Sequence, residues 1–354
     1  MFHKTPLPQF ICFCSPMSTY QFHYEADFQL ENGKLLPGFQ LAYQTFGQLS
    51  PEKDNVLWVC HALTANSDVA DWWPGMVGPG ALFDTDRYFI ICANMLGSCY
   101  GSTNALSLNP QTQQPYYHDF PLLTNRDIVR AFDLLRQDLA IEKIRMVIGG
   151  SLGGQQCLEW AIMQPEVFEK LVPIATNARH SPWGIAFNES QRMAIAADAS
   201  WPEKHPEAGL EGMRAARSIA LLSYRNYRTY WNTQLEPELG EFENYRASSY
   251  QQYQGDKLKK RFHAFAYWTL SKAMDSQNLG RGRGSIEAAL GQITAETLVV
   301  GLPTDWLFPI EEQRFLQRHI PGARIAEIGS QYGHDGFLIE VEQLTDKIGQ
   351  FLAN

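Results

Sequence analysis

Three residues far apart in the chain have the side chains that nucleophilic catalysis needs: Ser151, Asp305 and His334. Ser151 stands in Gly149-Gly150-Ser151-Leu152-Gly153-Gly154, a G-x-S-x-G stretch between an apolar run and residues of helical periodicity. At such a strand-to-helix turn a serine is held in a strained backbone conformation. Flanking glycines let neighbouring backbone approach, and the hydroxyl is pushed out of the sheet beside a helix N-terminus. The same residues also suit a glycine-rich β–α turn with an incidental serine. On this stretch alone the two readings stay level.

A serine hydroxyl attacks only when a neighbouring base takes its proton, usually a histidine held by a carboxylate. Asp305 follows the apolar run 298–300, in Gly301-Leu302-Pro303-Thr304-Asp305, and His334 follows 325–328, in Tyr332-Gly333-His334-Asp335-Gly336. Both lie in loops after predicted parallel strands, where open α/β sheets place their sites. The order Ser, Asp, His is that of α/β-hydrolase folds. Acyl transfer at such a serine also needs two backbone N–H groups aimed at the developing oxyanion. Leu152, next after the nucleophile, is one expected donor, and the loop of Leu63 after an earlier strand supplies the other. His61 competes for the role of base, but it lies upstream of the serine, in the loop expected to build the oxyanion hole.

The elements that would carry these residues alternate. Stretches 22–30 and 41–46 alternate apolar and polar residues and are separated by Asn32-Gly33 and Pro37-Gly38, which predicts a leading antiparallel hairpin. Residues 55–60, 88–93, 144–148, 171–175 and 296–301 are near-continuous apolar runs, as strands covered on both faces should be. Thr124 caps a predicted amphipathic helix to about residue 139. Strand–helix alternation predicts a mostly parallel sheet with helices on both faces. From 181 to 280 the pattern turns helical and aromatic, with helices expected over 185–198, 209–227 and 256–274. The division expected is therefore a core of 19–180 and 281–354 and a helical lid of 181–280. Sheet pattern returns at 323–328, and a last helix is predicted over 340–352.

With 354 residues, 45% hydrophobic and 19% charged, the chain can bury a full α/β core and carry an insertion. The net charge of −9, without a basic run, argues against nucleic acid or an anionic membrane as partner. No apolar stretch approaches the roughly 20 residues of a spanning helix. Six scattered cysteines lack zinc-ligand spacing, so no metal site is expected, and they suit a reducing, cytoplasmic setting. Residues 1–18 are expected to be an unstructured tail, or to precede a true start at Met17.

Several collinear motifs resemble the homoserine O-acetyltransferase family. They include His61-Ala62-Leu63-Thr64, the glycine-rich segment Leu96-Gly97-x-Cys99-Tyr100-Gly101-Ser102-Thr103, and Gly150-Ser151-x-Gly153-Gly154-x-Gln156-x-Leu158-Glu159-Trp160-Ala161. Further matches are Phe187-Asn188-Glu189-x-Gln191-Arg192, Tyr253-Gln254-Gly255-Asp256-Lys257, Asp305-x-Leu307-Phe308-Pro309 and Gly333-His334-Asp335-x-Phe337-Leu338. The resemblance spans about 22–352, whereas a generic hydrolase would share only the serine turn. It implies a ping-pong acyl transfer in methionine biosynthesis. Ser151 would take acetyl from acetyl-CoA, a co-substrate rather than a bound cofactor, and pass it to L-homoserine. By the same resemblance Arg217 would bind the substrate carboxylate, Asp335 its ammonium group, and Tyr224 and Thr64 would contact substrate. A homodimer through the lid is implied as well.

Three departures touch this pattern. Ala65 replaces a glycine, Asn104-Ala105-Leu106 replaces Gly-Pro-Ser, and Gln114 replaces an arginine. They leave the triad intact and the acyl donor open. A homoserine O-succinyltransferase, a serine O-acyltransferase, a carboxylesterase-like hydrolase and a catalytically silent binding relative stand as alternatives.

Overall fold

The computed structural model describes residues 19–238, 240 and 242–353. The expected tail, with Cys12, Cys14 and Met17, lies outside them. One sheet of eight strands organises the described chain: β1 (Thr19–Gln29), β2 (Leu35–Phe46), β3 (Val56–Cys60), β4 (Phe89–Ala93), β5 (Ile144–Gly150), β6 (Phe168–Ile174), β7 (Glu296–Gly301) and β8 (Arg324–Glu327). Their order is β1-β2-β4-β3-β5-β6-β7-β8. The β1–β2 and β2–β4 pairs are antiparallel, and every pair from β4 onward is parallel. This is the mostly parallel sheet that the strand–helix alternation predicts.

Helices cover both faces. Three precede or follow the first parallel strands: α1 (Val69–Trp72), α2 (Asn125–Asp138) and α3 (Leu152–Met163). Between β6 and β7 come α4 (Pro182–Ala196), α5 (Leu210–Tyr224), α6 (Tyr227–Gln234), α7 (Arg246–Lys259) and α8 (Ala264–Asp275). The chain closes with α9 (Ile286–Leu290), α10 (Ile310–His319), α11 (Gly336–Ile339) and α12 (Val341–Ala353). Among the described residues no helix is long and apolar enough to cross a membrane.

The apolar runs divide by side-chain parity. From β3, Val56, Trp58 and Cys60 enter one core while Leu57 and Val59 enter the other. Trp58 meets Trp160 of α3 edge to face at 4.9 Å, with Phe132 of α2 beside both. The opposite layer holds Trp73, Phe83, Phe337 and Phe351. Each such fully buried side chain contributes roughly 1.5–3 kcal/mol relative to exposure. A run buried on two faces is near-continuously apolar, which is why the centres of β3 to β7 stand out in the sequence.

Three local expectations are corrected. Pro37-Gly38 is not a turn but lies within β2, where Asp27 pairs with Pro37 and the register slips between Tyr24 and Asp27. Gly38 serves that bulge, with φ of +72° and space so tight that a Cβ would sit 2.9 Å from the Tyr24 carbonyl. The helix expected over 209–227 ends at Tyr224, because Asn226 caps a new helix by accepting the Thr229 N–H at 3.0 Å. The helix expected over 256–274 is likewise two, since His263 caps α8 by accepting the Ala266 N–H at 3.0 Å.

A charge network fastens the hairpin to the helical layer. Glu159 of α3, almost wholly buried, receives Arg126 Nε at 2.7 Å and Arg283 Nη2 at 2.5 Å. Arg126 and Arg281 both also reach Glu31, just after β1, at 2.7 and 2.9 Å. Removing one member strands the others in a poorly solvated site. Glu159→Ala is therefore expected to cost about 3–5 kcal/mol, read as a shift of the urea midpoint. A change below about 1 kcal/mol would mean the arginines find water instead.

Candidate active site

β5 ends at Gly150 and α3 begins at Leu152, so Ser151 alone makes the turn, with φ of 58° and ψ of −123°. A non-glycine residue with positive φ is strained and must be held. The Ser151 N–H donates to the Ile174 carbonyl at 2.9 Å, and its own carbonyl accepts the Thr176 hydroxyl at 2.8 Å. Gln313 of α10 in turn donates to the Thr176 carbonyl at 2.8 Å. The turn can be this tight because Gly153 has no side chain. A Cβ there would lie 2.1 Å from the Cys60 carbonyl.

Asp305 and His334 meet although 29 residues separate them, with Nδ1 2.6 Å from Oδ2. The other Asp305 oxygen accepts the Leu307 and Phe308 N–H groups at 2.8 and 2.9 Å. That carboxylate is thus fixed before it receives the imidazole. The bond assigns the proton to Nδ1 and leaves Nε2 as the basic nitrogen. Phe308 stacks on the His334 ring at 5.1 Å, with Phe337 and Tyr224 at 5.4 and 5.7 Å. Ser151 and His334 open into one cavity of 410 Å³.

Leu63, Thr64, Arg217, Tyr224 and Asp335 line the same cavity. Leu152 is fully buried at the first position of α3, where its N–H faces away from the helix ladder. Among the described residues neither the Leu63 nor the Leu152 N–H is given to a protein acceptor. His61 has both nitrogens engaged: Nδ1 lies 2.9 Å from the Ala62 carbonyl, and Nε2 accepts the Met95 N–H at 3.2 Å. Burial lowers its pKa to about 4. It is therefore a neutral brace of the loop after β3, and the competing base is excluded.

Arg217 lies over the Tyr224 ring at 5.4 Å and, among the described residues, makes no ion pair or hydrogen bond. A half-buried guanidinium without an anion is a receptor for one. Burial raises the Tyr224 pKa, which Arg217 partly offsets. Asp335 has a partner that the sequence reading missed. Arg225 Nε stands 2.8 Å from Asp335 Oδ2, although its N–H is not aligned to make a hydrogen bond. The guanidinium also covers the Tyr332 ring at 5.4 Å. Asp71, Trp72 and Arg261 are further lining residues without a sequence signal, because sequence spacing does not encode how their segments dock, and Lys257 of the Tyr253–Lys257 motif joins them. Among the described residues no cluster suited to holding a metal ion occurs.

Residues 55–341 match the family model described as alpha/beta hydrolase fold. A homoserine O-acetyltransferase of Cyclobacterium marinum is 51% identical over 91% of this chain and 92% of its own length. One from Chlorobaculum parvum is 47% identical, covering 94% of each. Among solved structures, a homoserine O-acetyltransferase from Bacillus anthracis superposes with a TM-score of 0.89 at 24% identity, covering 96% of this chain and 99% of that one. Esterase E22 superposes at 0.87 with 23% identity, over 95% and 100%. The last two show that one fold serves transferases and esterases alike.

Behind the triad, Glu312 of α10 accepts Asn177 Nδ2 at 3.0 Å. Burial pushes its carboxyl up to about 7, the Asn177 bond opposes this, and the charge of Asp305 adds to the rise. In the unfolded chain the proton leaves near 4.5. Between those values the folded state binds more protons, so Glu312 costs stability as pH rises from about 4.5 to about 7. Glu312→Gln removes that cost while keeping an acceptor for Asn177. The variant's stability relative to wild type is expected to grow by on the order of 1–2 kcal/mol between pH 5 and pH 8, measured by urea unfolding at both. An unchanged difference would contradict the assignment.

Proposed function

The chain belongs to the homoserine O-acetyltransferase family of the α/β-hydrolase fold, and we propose that it works as one, moving acetyl from acetyl-CoA to the hydroxyl of L-homoserine in methionine biosynthesis. The observation that carries this is Arg217, an unpaired guanidinium in the cavity that Ser151 and His334 share. A simple hydrolase has water as its acceptor and needs no carboxylate clamp. An amino acid acceptor does.

The chemistry runs in two halves. His334 Nε2 takes the Ser151 proton as Oγ attacks the thioester carbonyl. The Leu63 and Leu152 N–H groups receive the oxyanion, and the CoA thiolate leaves with the proton from His334. Homoserine then enters with its carboxylate on Arg217 and its ammonium on Asp335, which it shares with Arg225. Tyr224 and Thr64 line its path. Its hydroxyl gives a proton to His334 Nε2 and attacks the acyl-serine, and the collapsing intermediate returns the proton to Ser151. Asp305 stabilises the imidazolium in both halves. The apolar walls at Trp72, Phe337 and Leu338 disfavour water as acceptor. Acetyl-CoA is a transient co-substrate here, and no permanently bound cofactor is invoked. Among the described residues Cys60, Cys92, Cys99 and Cys157 are free thiols, which suits a reducing cytoplasm.

Acetyl-CoA alone should leave one acetyl group on the Ser151 peptide under rapid quench, and homoserine should discharge it. CoA release that proceeds equally fast with water alone would identify a hydrolase, and discharge by serine or loading from succinyl-CoA would identify the transferase alternatives. Arg217→Ala is expected to raise the homoserine KM roughly ten- to a hundredfold, the worth of a charge-assisted hydrogen bond, with the acetyl-CoA KM within about twofold.

We also infer a homodimer through the helical insertion. Leu222, Tyr227, Trp231, Leu235 and Tyr253 are exposed apolar or aromatic side chains on or beside α5 to α7, with Tyr227 stacked on Trp231 at 5.9 Å. Large exposed apolar surface of this kind marks an interface. Trp231→Glu should halve the mass measured by light scattering, and an unchanged mass would place the interface elsewhere.

A further inference from the structure

The break between α7 and α8 puts a lid-side arginine against the core. Arg261 Nη1 donates both to the Thr64 carbonyl and to the Tyr100 phenol oxygen. Cys99 Sγ lies 3.6 Å from the Arg261 carbonyl, and the Phe262 ring packs on Tyr100 at 5.7 Å. Segment 260–263 therefore grips two core loops together, the one after β3 and the glycine-rich one after β4.

Thr64 immediately follows Leu63, the proposed oxyanion donor. The Ala62 carbonyl accepts His61 Nδ1–H at 2.9 Å and the Ala65 N–H at 3.0 Å. Because a trans peptide is planar, fixing the Ala62 carbonyl fixes the Leu63 N–H on the opposite side of the same plane. The tie from Arg261 to the Thr64 carbonyl holds the Thr64–Ala65 peptide, whose own N–H bonds back to the Ala62 carbonyl. Leu63 thus sits inside a turn held by a core histidine at its start and by the helical insertion at its end. A donor held in place before charge develops contributes far more than one that must reorient.

We propose that Arg261 is a positioning residue for the oxyanion hole, holding the loop that aims the Leu63 N–H from its seat between α7 and α8. This rests on the acyl-serine reading above. It also makes formation of the hole depend on docking of the insertion, so a displaced insertion would slow both half-reactions.

The test uses two acyl donors, acetyl-CoA and 4-nitrophenyl acetate, which carries no phosphate. Arg261→Ala should slow Ser151 acylation about tenfold with either donor, with the acetyl-CoA and homoserine KM values within about twofold and the melting temperature unchanged. Added guanidinium ion should restore part of the rate. Arg261→Lys should fall between wild type and alanine, and Tyr100→Phe, which keeps the arginine, should show a smaller loss of the same kind. Slowing with acetyl-CoA alone, through a raised KM, would make Arg261 a phosphate contact and overturn the proposal, as would acylation at the wild-type rate. A wild-type Ser151 that never acquires acetyl would overturn the acyl-transfer reading itself, and this inference with it.

Discussion

The site depends on one approach of backbone to backbone, that of Gly153 to the Cys60 carbonyl. A single methyl group at Gly153 would lie 2.1 Å from that oxygen, so only glycine lets α3 start this close to the end of β3. In the proposed mechanism the closeness matters because the Leu152 N–H belongs to α3 while the Leu63 N–H belongs to the loop after β3. Two donors from different elements could meet one oxygen only if those elements nearly touch. The same squeeze forces Ser151 into positive φ, and the Ile174 carbonyl and the Thr176 hydroxyl hold it there. Strain at the nucleophile is thus sustained by hydrogen bonds to β6 and the loop after it.

The polar groups around this point divide by what burial does to them. His61, His180 and His263 are all pushed down to about 4 by burial, so they brace loops as neutral rings. His334 instead faces Asp305 at hydrogen-bonding distance, and that carboxylate is itself tied to two backbone N–H groups. In the proposed transfer, an imidazolium formed there would meet a partner already in place. Arg192 is buried against Asp275 at 2.6 Å and the Ser271 hydroxyl at 3.1 Å, which locks α4 to α8.

The insertion between β6 and β7 covers the serine end of this core. It brings Arg217, Tyr224, Arg225, Lys257 and Arg261, all cationic or amphipathic, over a serine that the core alone would expose. The Arg225–Asp335 pair and the bonds from Arg261 tie it to the loop of His334 and to the loop after β3 respectively. In the proposed reading the same helices then support both substrate recognition and the acyl-transfer centre.

Much of this was legible in the chain itself. Strands covered on both faces are near-continuously apolar, so the centres of β3 to β7 stood out, and the G-x-S-x-G turn with Asp305 and His334 in order suggested the chemistry now proposed. The hairpin turn at Asn32-Gly33 was equally plain. Pro37-Gly38 misled because a bulge and a turn both call for a residue of positive φ. The helix breaks at 225–226 and 260–263 were hidden, since asparagine and histidine act as caps only when their side chains find the backbone ahead of them. Those breaks carry Arg225 and Arg261. Local sequence determined which elements form and which residue types can react, because periodicity and turn chemistry act over a few neighbours. Only the tertiary structure decided which side chains share the cavity, which of its arginines lacks a partner and which one bonds to the loop after β3, because those contacts join residues that the chain keeps far apart.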